Sequence, residues 1–128
     1  MQMKVFVSAP YTENLETEFL SSLESILKEA NLDVVVPHKY VDEKETEKSI
    51  KRNFKLLEDC DMILADVTKP SHGVGMEILY AHQKGKKIIF LRKAGTKVSH
   101  MALFHANELV EYNNPKDLKE NLLGVLKD

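Results

Sequence analysis

Strand-type and helix-type hydrophobic periods alternate along all 128 residues, which predicts an α/β protein. Three observations carry that prediction. Short apolar runs end repeatedly in turn residues. Between them, apolar residues recur at helical spacing. The run Met62-Ile63-Leu64-Ala65 is apolar without alternation, as a strand covered on both faces requires. Right-handed crossovers between such strands build a parallel sheet. Five strands at this length predict a flavodoxin-like (Rossmann-like) sheet of order 2-1-3-4-5, with helices on both faces. Residues 1–128 read as one domain, without linker, internal repeat or low-complexity tract.

Each element has its own justification. Residues 4–9 form a β-type run stopped by Pro10. Leu15, Phe19, Leu23, Ile26, Leu27 and Ala30 give the first helix. Asp33-Val34-Val35-Val36 is the second strand, ended by Pro37. Residues 43–57 read as a helix with Ile50, Phe54 and Leu57 on one face. Its dense charge reads as a solvated face. The third strand, 62–65, runs into a turn-rich loop at 66–73, and a helix follows over 74–84, closed by Gly85. Residues 87–91 are the fourth strand. A short helix at 99–106, a weaker strand at 109–112 and a helix from Pro115 complete the pattern.

Composition narrows the function classes. Apolar residues make up 43% and charged residues 30%, a balance that supports a modest core in water. No apolar run reaches the roughly 18 residues of a membrane span, and no secretory signal is visible, so a cytoplasmic protein is expected. A net charge of −2 argues against a nucleic-acid polymer as partner. The single cysteine, Cys60, excludes an internal disulfide and a cysteine-based zinc cluster. It precedes the third strand, away from the carboxyl edge, and reads as packing. His38 reads as a turn histidine. His100 and His105 lack metal-ligand context, and no cofactor is implied.

In such sheets ligands bind beyond the carboxyl ends of the strands, where the winding reverses. Here that crevice lies between the loop after strand one (residues 9–12) and the loop after strand three (residues 67–73). Gly73 and Gly75 at the helix entry allow close backbone approach, and free N–H groups there attract anions. Glycine-rich helix entries also arise from packing alone. Glu77 is expected in the first turn of that helix, where the dipole keeps a carboxylate ionised. An anion there is suited to act as a nucleophile or to stabilise an oxocarbenium ion. From spacing alone it reads equally as a helix-start glutamate with no chemistry. Arg92 and Lys93, after strand four, read as solvated charges or phosphate neighbours.

The stretch Ala65-Asp66-Val67-Thr68-Lys69-Pro70-Ser71-His72-Gly73-Val74-Gly75-Met76-Glu77 resembles the signature of the nucleoside 2-deoxyribosyltransferase family, on the side of the 2′-deoxynucleoside 5′-phosphate N-hydrolases. The similarity runs from the first strand to about Ala102. It implies a glutamate, Glu77, that attacks the anomeric carbon and forms a covalent deoxyribosyl intermediate. It implies small-molecule substrates, deoxynucleotides or deoxynucleosides, and a homodimer or higher homo-oligomer whose sites are completed by a neighbouring subunit. Ser71 corresponds to a serine that binds the 5′-phosphate, and Ser99 resembles one that a partner subunit supplies. Phe6, Ser8, Ala9, Pro10 and Tyr11 on the first strand and its loop, and His72, Gly73, Gly75 and Met76 on the signature, are the remaining expected substrate contacts.

Two positions depart from that pattern. The family's acid on the second helix is Asn53 here, and an amide donates a hydrogen bond but supplies no proton. The family's tyrosine in the first strand is Phe6, without a hydroxyl; Tyr11 is one candidate replacement. Asp66 and His72, on the rim after strand three, are candidate substitutes for the missing acid, or plain loop residues. Three functions follow: hydrolysis of the base–deoxyribose bond, base exchange, or nucleotide binding without catalysis. A response-regulator receiver needs an acidic pair where Ser8-Ala9-Pro10 stands. A flavodoxin needs a phosphate loop that residues 9–13 do not resemble.

Overall fold

The computed structural model describes residues 2–10, 17–37 and 46–126. Its elements are β1 (Lys4–Ser8), α1 (Thr17–Glu29), β2 (Asp33–Val35), α2 (Glu47–Glu58), β3 (Met62–Asp66), α3 (His72–Gln83), β4 (Lys87–Lys93), α4 (His100–Leu103), β5 (Glu108–Tyr112) and α5 (Pro115–Leu126). The five strands form one parallel sheet in the order β2-β1-β3-β4-β5, as the alternation of periods predicts. The chain leaves β1 toward one edge and returns to β3 on its other side, so the winding reverses between them.

Strand alternation sorts the core into two layers. Val5, Val7, Met62, Leu64, Ile89 and Leu91 face α1 and α5, packing on Leu23, Leu27, Leu118 and Leu122. Phe6, Ile63, Ala65, Ile88 and Phe90 face α2 and α3, packing on Leu57, Val74, Ile78 and Ala81. Ser8 follows Phe6 by two and therefore belongs to the second layer, at the carboxyl end of β1. Each fully buried aliphatic side chain contributes about 1.5–3 kcal/mol. Those two layers hold the backbone around Ser8 and Ala65 in a fixed ladder, with the two residues paired.

Several boundaries differ from the sequence reading, and capping sets the starts of α2 and α3. α2 begins at Glu47, because Thr46 and Ser49 form a reciprocal capping box; residues 43–45 lie outside the described residues. α3 begins at His72, two residues before the expected start, because Ser71 Oγ accepts from the N–H of Val74 at 3.3 Å. It ends at Gln83, capped by Lys84, with Gly85 at φ +71°, the left-handed residue that closes helices. The expected helix over 99–106 is a single turn, α4, capped by Ser99. β4 runs on to Lys93, where its N–H donates to Thr68 Oγ1 at 3.0 Å. No helix among the described residues is long and apolar enough to cross a membrane.

Candidate active site

Glu77 is carried to the crevice by α3. Val74, Ile78 and Ala81 are buried against the sheet, and Glu77 sits on the flank of that face. The early helix start makes it the sixth residue of α3, in the second turn. This corrects the expectation of a first-turn position: no acidic side chain occupies the first turn, and the helix dipole acts on Glu77 less directly than supposed. What holds Glu77 is a side chain from the sheet. Ser8 Oγ donates to Glu77 Oε1 at 2.6 Å, across 69 residues of sequence. The carboxylate is half-buried and lies over the carboxyl end of β1, beside the point where the winding reverses.

Asn53 faces the same layer. α2 and α3 both start at the carboxyl edge and descend across the same side of the sheet. Asn53 is the seventh residue of α2 and Glu77 the sixth of α3. At about 1.5 Å per residue they lie at nearly equal depth below their helix starts. Asn53 is half-buried, and its Oδ1 is buried without a hydrogen-bond partner among the described residues. An unanswered polar atom of that kind calls for a physical explanation.

The entry of α3 leaves hydrogen-bond donors unused among the described residues. Ser71 accepts from Val74, and its own hydroxyl proton remains to be donated. The N–H of Gly75 already bonds Ser71 O at 3.1 Å. That leaves the N–H groups of His72 and Gly73 at the helix end, rather than those near Gly75. Among the described residues a Cβ added at Gly73 or at Gly75 meets nothing within 4 Å, so their packing does not require either glycine. His72, Gly73, Gly75 and Met76 are exposed around this entry.

Other expected site residues are placed differently. Phe6 is fully buried beneath Ser8 and forms a floor, not a surface contact. Ser8 is 1% exposed and gives its one proton to Glu77, so it is not an open substrate contact. Ala9 and Pro10 are half-buried after β1, while Tyr11 and His38 lie outside the described residues. Asp66 alternates onto the α1/α5 side with Met62 and Leu64, and its Oδ1 accepts from Thr68 N–H at 3.0 Å. That is an Asx turn, away from the layer of Glu77, which corrects its candidacy as a substitute acid. Ser99 is exposed at the start of α4, accepting from Ala102 N–H at 3.1 Å. Arg92 is tied to Glu111 of β5 rather than merely solvated. Burial pushes the Cys60 thiol up to about 11, which removes it as a nucleophile near neutrality. Among the described residues, no three His, Cys, Asp or Glu side chains converge as metal ligands.

A parallel sheet of order 2-1-3-4-5 with a carboxylate and a serine-capped helix entry at the reversal point defines a doubly wound α/β protein. The chain belongs to the nucleoside 2-deoxyribosyltransferase family, whose model matches residues 5–121. A Thermofilum pendens protein named "Putative 2′-deoxynucleoside 5′-phosphate N-hydrolase 1" is 33% identical over 97% of this chain and 95% of its own length. A Methanosarcina mazei protein of the same name is 32% identical over 79% of this chain and 69% of its own. Among solved structures, a 2-deoxyribosyltransferase from Bacillus psychrosaccharolyticus superposes with a TM-score of 0.75 at 14% identity, covering 96% of this chain and 95% of that one. A CMP N-glycosidase from Clostridium botulinum superposes with a TM-score of 0.71 at 22% identity, covering 93% and 97%. At those identities the two structures establish the shared fold.

Proposed function

We propose that this protein is an N-glycosidase that cleaves the base–deoxyribose bond of 2′-deoxynucleoside 5′-monophosphates. One observation carries the reading: Glu77 reaches over the carboxyl end of β1 and is held there by Ser8 instead of pointing into solvent. In the first step a Glu77 oxygen attacks C1′, the C1′–N bond breaks, and its electron pair leaves with the base. In the second, water attacks C1′, the glutamyl C1′–O bond breaks, and the carboxylate returns. Two displacements retain the anomeric configuration. The departing base takes its proton from water or a rim group, because Asn53 supplies only a hydrogen bond. The Ser71 hydroxyl and the His72 and Gly73 N–H groups suit a 5′-phosphate, which favours a nucleotide over a nucleoside.

The acting form is a homodimer. Met76 and Leu79 on α3 are exposed, as are Met101 (80%) on α4 and Phe104 (78%) at its C-cap. The two helices meet where His82 lies 6.2 Å from Phe104 and 4.7 Å from His105. An apolar surface of this kind marks an association site. Ser99 stands beside it, so a second copy covering the patch delivers its serine to the phosphate end of the crevice.

Base exchange is the second reading, favoured by the family model itself. The protein incubated with a deoxynucleoside monophosphate releases free base and deoxyribose 5-phosphate under the leading reading. An added second base changes those products only under exchange. Tight nucleotide binding with neither product contradicts both.

A further inference from the structure

We propose that Ser8 is the positioning residue for Glu77: its buried hydroxyl fixes the carboxylate plane and favours its ionised form. The proposal rests on Glu77 acting as the nucleophile. Ser8 is the last residue of β1, a strand paired on both sides within the sheet, and it faces Ala65 of β3 in register. Its backbone is therefore anchored by the ladder and by the packed layer that holds Phe6. A hydroxyl 1% exposed needs a hydrogen-bond partner, and its proton goes to Glu77 Oε1 at 2.6 Å. That separation belongs to the short, charge-assisted class of O–H···O⁻ bonds.

A glutamate on a helix flank has several rotatable bonds, and the Ser8 hydrogen bond to Oε1 keeps its carboxylate over the end of β1. Phe6, on the same face two residues earlier, carries no polar atom, so β1 offers Glu77 its hydroxyl from Ser8. Neither the family model nor the names of the relatives assigns a role to this serine.

The test compares wild type, Glu77→Gln, Ser8→Ala and Ser8→Thr on a deoxynucleoside monophosphate, well below each protein's melting temperature. In Ser8→Ala, kcat is expected to fall about 10- to 100-fold, as for the loss of one hydrogen bond to a charged group. KM stays within about twofold. A hydrogen bond to the charged form favours it, so its loss moves the acidic limb of the pH profile upward. Ser8→Thr, which keeps the hydroxyl, restores kcat. If Ser8→Thr does not fold, the acidic limb of Ser8→Ala decides alone. Wild-type kcat and an unmoved acidic limb in Ser8→Ala, with Glu77→Gln inactive, overturn the role of Ser8 and leave Glu77 standing. A loss in Ser8→Ala that appears only in KM or melting temperature overturns it equally. Turnover surviving in Glu77→Gln, or no base release by wild type, removes the nucleophile, and the Ser8 proposal falls with it.

Discussion

Asn53 holds an amide where the resembling family holds an acid, and its buried Oδ1 has no described partner. Under the proposed function this side chain orients a leaving base by a hydrogen bond and does not protonate it. Asn53→Asp restores a group that carries a proton at low pH. A positioned general acid contributes on the order of 100-fold or more. The variant is therefore expected to gain at least tenfold in kcat at pH 5, relative to wild type, with the gain shrinking as pH rises through the carboxyl range. A pH series of initial rates checks this, and equal profiles for both proteins contradict it. At this scale the sequence was only half legible. Glu77 and Asn53 stand out because their spacing puts them beside apolar positions. Ser8 does not, because a serine at a strand end looks like any turn residue. Its bond to Glu77 spans 69 positions and exists only once β1 and α3 are packed.

The third helix carries the phosphate end of the proposal. Its start was misjudged by two residues because Val74 begins the apolar period while Ser71 begins the hydrogen bonding. Capping, not hydrophobic spacing, sets a helix boundary. The same shift moved Glu77 from the first turn to the second, and moved its main support from the dipole to Ser8. Gly73 offers a test that separates folding from function. Alanine in place of a helical glycine adds about 0.5–1 kcal/mol of stability, and nothing among the described residues obstructs its Cβ. Gly73→Ala is expected to melt a few degrees higher and to raise KM for 5′-phosphorylated substrates about tenfold. A higher melting temperature with unchanged KM assigns this glycine no ligand role.

At the scale of the whole molecule, the strand order was legible because alternating periods and right-handed crossovers leave few topologies. The unbroken apolar run of β3 correctly marks a strand covered on both faces. The exposed surface on α3 and α4 was not legible: Met101 and Phe104 look like core residues until a single-turn helix turns them outward. Phe104→Glu places a charge in that patch. If the proposed dimer forms, wild type runs as a dimer by light scattering and the variant as a monomer. It retains its far-ultraviolet circular dichroism and loses tenfold or more in kcat/KM, because Ser99 of the second copy is no longer delivered. A Phe104→Glu monomer with full activity contradicts a shared site.

The proposed reaction rests on a covalent bond between Glu77 and the sugar. The most direct measurement is intact and peptide mass spectrometry after reaction with a 2′-fluoro-2′-deoxynucleotide, whose fluorine slows hydrolysis of the intermediate. The account predicts a fluorodeoxyribosyl phosphate adduct on the peptide that contains Glu77, and none on Glu77→Ala. Release of base by wild type with no adduct, or an adduct on another residue, contradicts it.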